Sequence, residues 1–175
     1  MAQSVKSGPA CSSAVAKKTV HHMDFDSLIS VNREVVLLTR EPHEFSQADG
    51  EKLKELLAEA EERANNERPQ EAVADKAAFL IYKLASGQHF KGGNKRTALV
   101  AGLVFLRKNG HSIDISHPDL VSVVDRAGMA AADLDDLYGV IARLAAKSTS
   151  ERKSWDAAIK QVVEANRKFL IETGS

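Results

Sequence analysis

The 175-residue chain has one cysteine, Cys11, so no internal disulfide is available to it and a reducing compartment, the cytoplasm, is expected. Proline is scarce, at four residues, and aromatic residues make up 5%. Alanine and leucine take their place, which favours helices over sheets. Apolar runs of membrane-spanning length are missing, and residues 1–22 lack the apolar centre of a secretory signal, which argues against insertion or export. Excess charge is missing too. Basic and acidic residues number 24 each, so general binding to nucleic acid or to anionic membranes has no electrostatic support. What remains, 43% hydrophobic residues in 175, suits one ordered domain with a substantial core.

The expected organisation is a leader (1–22), a helical domain (23–147) and a C-terminal amphipathic helix (148–175). The leader is small and polar, with Lys6, Lys17 and Lys18 and no acid, and reads as unstructured. From Asp24, Phe25, Leu28, Val31, Val35 and Leu38 recur at helical spacing until Glu41-Pro42. Ser46, with Asp49 three positions on, caps a second helix. Its apolar face holds Leu53, Leu56, Leu57, Ala60 and Ala64, and its charged face is solvated. Asn65 to Gln70 breaks the pattern. Glu71 to Ser86 resumes it with Val73, Ala77, Leu80, Ile81 and Leu84, and Gly87 provides the stop. Beyond Gly110, Ile113 and Ile115 alternate with polar residues as in a short extended segment. Ser116 then caps a helix with Pro118 in its first turn and Leu120, Val123, Val124 and Ala127 inward. Asp133 begins the next, marked by Leu134, Leu137, Ile141 and Leu144. After a polar hinge at Lys147–Arg152, Trp155, Ile159, Val162, Val163, Asn166, Phe169 and Leu170 define a last amphipathic helix. That stripe packs either on its own domain or on a partner.

The chain is organised around Gln88 to Gly110, QHFKGGNKRTALVAGLVFLRKNG. Gly92 and Gly93 allow a tight turn, Asn94 is a good residue to begin a helix, and Thr97 to Leu106 is apolar almost all round, as in a helix buried on every side. Lys95 and Arg96 fall on that helix's first turn, where the dipole favours acids. Two cations there are unfavourable for helix stability alone. They are explained either by a bound phosphate or by simple solvation.

This stretch resembles the signature of the Fic/Doc (Fido-fold) family, and within it the Doc, or death-on-curing, branch: H-x-F-x-(D/E)-(A/G)-N-K-R followed by T-A-L. Phe90, Gly93, Asn94, Lys95, Arg96, Thr97, Ala98 and Leu99 match without a gap, and FLRKNG resembles the branch's helix end. In this frame the family's catalytic histidine falls on Gln88 and its metal-binding acid on Gly92. Deleting one residue brings His89 to the catalytic position instead, but sets Phe90 directly beside it, whereas the family places its phenylalanine two residues on, as a core anchor. The gapless frame is preferred. The resemblance implies an all-α, Fic/Doc-like helical bundle around a central buried helix, with a short β-hairpin flap at Asn65–Gln70 that docks a target chain. It further implies a nucleotide-phosphate site at Gly93, Asn94, Lys95 and Arg96, with Phe90 as structural anchor, ATP or another nucleotide as cofactor, and Mg2+ in an active enzyme. The implied partners are an antitoxin and a protein target such as elongation factor Tu, with neither membrane nor direct nucleic-acid binding. Adenylyltransferases of the family carry glycine where Lys95 stands, and a second arginine where Leu99 stands, so the resemblance favours kinase-type phosphotransfer over AMPylation. The inhibitory motif S/T-x-x-x-E-(G/N) of self-blocked members finds no Glu-Gly or Glu-Asn pair in the chain.

Transfer from ATP to a protein hydroxyl needs an anion hole, a metal and a base. Gln88 can orient a hydroxyl but cannot take its proton, and Gly92 offers no carboxylate. Losing the base alone costs ~10²–10⁴-fold in rate. Three readings follow: a Doc-like toxin transferring phosphate with His89 or another base, a catalytically inactive Fido-fold binding or regulatory module, and an active-site variant of a Doc toxin kinase.

Overall fold

The computed structural model describes residues 20–63, 69–149 and 153–173. Among them eight helices and one pair of two-residue strands form an all-α bundle: α1 (Phe25–Thr39), α2 (Gln47–Glu62), α3 (Pro69–Gly87), α4 (Asn94–Lys108), β1 (His111–Ser112), α5 (Pro118–Gly128), α6 (Leu134–Leu144), β2 (Ala146–Lys147), α7 (Trp155–Ala165) and α8 (Arg167–Glu172). The strands pair antiparallel, His111 with Lys147 and Ser112 with Ala146. α5 and α6 lie between the two strands in the chain. Most of the expected flap, like residues 1–19, lies outside the described residues, while Pro69 and Gln70 already belong to α3. No helix among the described residues is long and apolar enough to cross a membrane.

α4 is the axle. Every residue from Thr97 to Leu106 is buried, with α3, α1, α7 and α5 packed around it. Each large apolar side chain so enclosed contributes about 1.5–3 kcal/mol. α3 approaches closest. A Cβ on Gly102 would stand 2.3 Å from Ile81 Cδ1, so the contact between the two longest-buried helices depends on a residue with no side chain. α7 and α8 complete the same core: Ala158, Ile159, Val162, Val163 and Leu170 are buried against α1 and α4. The amphipathic stripe of the C-terminal segment therefore covers its own chain.

Local chemistry sets the helix ends. Asp24 Oδ1 accepts from Ser27 N at 2.7 Å, Ser46 Oγ from Asp49 N at 3.1 Å, and Asp133 with Asp136 closes a reciprocal capping box. α5 departs from expectation. The Ser116 hydroxyl donates to Asp114, and the cap is the imidazole of His117, accepting from Asp119 N at 3.2 Å. The last helix is two helices: Asn166, outside helical geometry at φ −112° and ψ 14°, ends α7 and turns its carboxamide back onto Val162 O at 2.8 Å. Lys76, buried on α3, donates to Ala60 O and Glu61 O, so a cation closes the carbonyl end of α2. The end of the expected leader is held as well. His21 N donates to Asn109 Oδ1 at 2.8 Å, and Asn109 Nδ2 donates to His21 O at 3.0 Å, tying the entry of the domain to the end of α4.

Gly102→Ala tests the α3–α4 contact. The gain in helix propensity, at most about 1 kcal/mol, is outweighed by overpacking of about 1–3 kcal/mol, so urea denaturation should give a lower midpoint than wild type. In an Ile81→Ala background the same substitution should become neutral or stabilising.

Candidate active site

Gly87 is the last residue of α3, and the stop is made by Gln88, which adopts a left-handed conformation at φ 50°. Gly87 has a different task. A Cβ there would lie 2.1 Å from His89 Nε2, so the His89 ring folds back over it. Gly93, at φ 71°, is the N-cap of α4 and supplies no side-chain cap.

Two asparagines hold the loop between those glycines. Asn94 accepts from Phe90 N at 2.9 Å and donates to Phe90 O at 2.7 Å, closing the loop on itself. Its carboxamide is thereby engaged by the loop's own backbone, and it is the first helical residue rather than the cap. Asn32, fully buried on α1, donates to Gly92 O at 3.1 Å and to Thr97 Oγ1 at 3.0 Å. Its Oδ1 stands 2.7 Å from His43 Nδ1, which must carry the proton of that bond. Phe90 is buried with its ring edge-on to Phe45 at 5.9 Å.

Arg96 is 7% exposed and is held by two acceptors, the carboxylate of Glu41 and Leu170 O at 3.4 Å. Glu41 also accepts from Thr39 Oγ1 at 2.7 Å. Its Cβ would be 3.0 Å from a Cβ on Gly92, and its Oε2 3.7 Å from one on Gly93. A carboxylate thus lies across the glycine turn, at the end of a helix that cannot satisfy its own first N–H groups. Sequence reasoning read Glu41 only as the end of α1. The signal that links it to Arg96 is tertiary: Arg40, left-handed at φ 57°, turns the chain so that Glu41 N bonds back to Val36 O and its side chain reaches α4. Lys95 points the other way, to Asp125 on α5 at 2.9 Å.

Gln88 is exposed, with its Oε1 3.5 Å from Asn94 Nδ2, beside the turn. His89 faces the start of α2 instead, across a cleft of about 410 Å³ lined by Glu44, Ser46, Asp49, Gln88, His89 and Lys91 among others. Its Nδ1 is buried without a partner. Burial pushes this imidazole below the ordinary value of 6.5 and Lys52 adds to the effect, while Asp49 and the Lys83 backbone oppose it. His89 thus packs over Gly87 with its basicity lowered by burial, and Gln88 lies beside Asn94.

The residues present do not make a metal site. No group of three His, Cys, Asp or Glu side chains among the described residues suits a metal, and the carboxylate beside Gly92 is that of Glu41, already paired with Arg96. Asn94 is engaged by the loop's own backbone, and the two cations after it are each paired with an acid, Lys95 with Asp125 and Arg96 with Glu41.

A lowered histidine makes stability sensitive to acid. The neutral form belongs to the native state, so its contribution is complete above 6.5 and is lost as pH falls below that value, where the unfolded chain takes up the proton first. His22 and His43, also lowered chiefly by burial, act in the same direction. Unfolding free energy measured from about pH 7 to about pH 5 should fall, and His89→Gln should flatten part of that slope while the remainder persists.

No curated protein matches the chain. The model of the Fic/DOC family matches residues 19–106, half of the chain, from the docked entry segment through α1, α2, α3 and the glycine turn into the buried α4. With the glycine turn and the central buried helix both inside a match over half of its length, the chain belongs to the Fic/DOC family.

Proposed function

We propose that the protein is a Doc-type member of the family that binds the phosphates of a nucleotide such as ATP at the Gly93–Arg96 turn, without the family's ordinary transfer chemistry. The observation that carries this reading is the buried Arg96 guanidinium, which already holds an anion, the Glu41 carboxylate, across the glycine turn. Phosphate can take the same place. A guanidinium engages phosphate oxygens with the same planar fork it offers a carboxylate, and the exchange keeps the buried charge neutralised. Glu41, 31% exposed, has solvent to move into, whereas Arg96 does not. Backbone N–H groups at the start of α4 and Lys95 add to the attraction.

Transfer is disfavoured by the placement of the two candidate bases. Gln88 stands beside Asn94 but does not titrate, and His89 titrates but packs over Gly87 toward α2. The toxin–antitoxin setting rests on the Doc-like residues, Lys95 above all. In that setting the chain acts as a nucleotide-dependent binding or regulatory partner rather than as a kinase.

Titration calorimetry with ATP should show binding that Arg96→Ala weakens at least about tenfold, the loss of one charge-assisted contact of about 1.5–3 kcal/mol. Absence of ATP binding to the wild type sinks the proposal. Glu41→Gln, which removes the competing charge, should tighten ATP binding by about three- to tenfold. With [γ-32P]ATP and elongation factor Tu, label should stay at background. Transfer above background that His89→Ala abolishes would establish the transferase reading instead.

A further inference from the structure

The peptide between Gly92 and Gly93 has a glycine on each side, so no side chain of its own resists its turning over. Its direction is set from α1, where Gly92 O accepts from Asn32 Nδ2 at 3.1 Å. A trans peptide points its C=O and N–H in opposite directions. With the carbonyl drawn toward Asn32, the Gly93 N–H is aimed away from it. Gly93 is left-handed and Asn94 begins α4, an alternation that gathers successive N–H groups into an anion-binding concavity. The direction of one carbonyl therefore decides whether the first donor of that concavity is presented.

Asn32 holds that carbonyl in only one of its two orientations. Turned over, its buried carboxamide would set Oδ1 against Gly92 O, two acceptors face to face, whereas Thr97 Oγ1, now 3.0 Å from Nδ2, donates or accepts and suits either. The deciding partner is His43, whose Nδ1 lies 2.7 Å from Asn32 Oδ1. A ring protonated at Nδ1 draws the oxygen to itself and leaves Nδ2 for Gly92 O, while a ring protonated only at Nε2 would draw Nδ2 instead. Burial and Arg33 on α1 hold His43 below the ordinary value of 6.5, so the neutral ring has one proton to place. The acids of its own segment are occupied, Glu41 by Arg96 and Glu44 by Lys91. The ring is held edge-on to Phe45 at 6.2 Å, and Phe45 in turn packs edge-on to Phe25 and Phe90. Resting on the phosphate-binding reading, we propose that His43 is a positioning residue of that site: its Nδ1 proton orients Asn32, and Asn32 turns the Gly92–Gly93 peptide so that the Gly93 N–H faces the bound anion.

Long-range 1H–15N correlation NMR of the full chain at about pH 7.5, with His43→Asn to assign the signal, reads the tautomer directly. The His43 ring should carry its proton at Nδ1, and a proton at Nε2 overturns the proposal. Calorimetry with ATP and with inorganic tripolyphosphate reads the consequence. His43→Leu, which removes the donor, should weaken both ligands about three- to tenfold, the worth of one hydrogen bond. His43→Asn, whose Nδ2 donates from the place of Nδ1, should bind both within about twofold of wild type. The two variants lose the ring and its titration alike, so equal weakening by both assigns the effect to the ring's bulk and overturns the proposal. Wild-type affinity in His43→Leu overturns it too. In either case continued weakening of both ligands by Arg96→Ala leaves the phosphate reading standing. If neither ligand binds the wild type, the phosphate reading fails and takes the proposal with it. The tautomer is measured on the wild type, so a folding defect in His43→Leu does not shelter the proposal.

Discussion

A guanidinium buried at the positive end of an apolar helix must be given an anion, and much of the geometry around α4 follows from that demand. Arg96 cannot reach solvent to be hydrated, and the helix dipole beneath it adds to the local positive potential. Glu41 answers from the chain that leaves α1, and a carbonyl of α8 takes a further N–H. Three elements far apart in sequence thereby converge on one turn, with α1 and α7 packed against α4, and α8 against α1, holding them in register.

The turn itself is held open by backbone rather than by side-chain bulk. Gly92 and Gly93 leave room for Glu41, Val35 and Val36 to close over them, while Asn32 and Asn94 satisfy the loop's buried polar groups from opposite sides. A larger residue at Gly92 would press on Glu41, and one at Gly93 would have to adopt a left-handed conformation as well. The position that carries an acid in related signatures is thus packed against an acid arriving from elsewhere. Glu41 is paired with Arg96, which gives the turn an anion but leaves it without a free metal ligand.

Gln88 and His89, adjacent in the chain, make different contacts. Helix α3 ends in a left-handed residue, Gln88, whose side chain reaches Asn94, while the His89 ring packs over the space that Gly87 leaves, and both line the cleft beside α2. Proximity to the turn and the capacity to titrate fall on different residues. Between them and α4, Phe90 holds the loop against Phe45, ring centroids 5.9 Å apart.

The helices themselves were legible in the chain because their signals are local: apolar spacing for α1 to α7, Ser46 and Asp133 as caps, and an uninterrupted apolar run for the axle α4. The family signature was equally local, eight matching residues on one turn. Misreadings arose where a neighbouring side chain competed for the same backbone, as at Ser116 with Asp114 and at Asn166 with Val162. By itself, then, the sequence determined the all-α class, the buried helix and the cationic turn, since each depends on contacts within a few residues. Only the tertiary structure decided that Glu41 pairs with Arg96, that Lys95 pairs instead with Asp125, that His89 packs over Gly87 and that the C-terminal helices cover their own core. Those outcomes depend on which side chains meet across the fold, and sequence spacing carries no record of that.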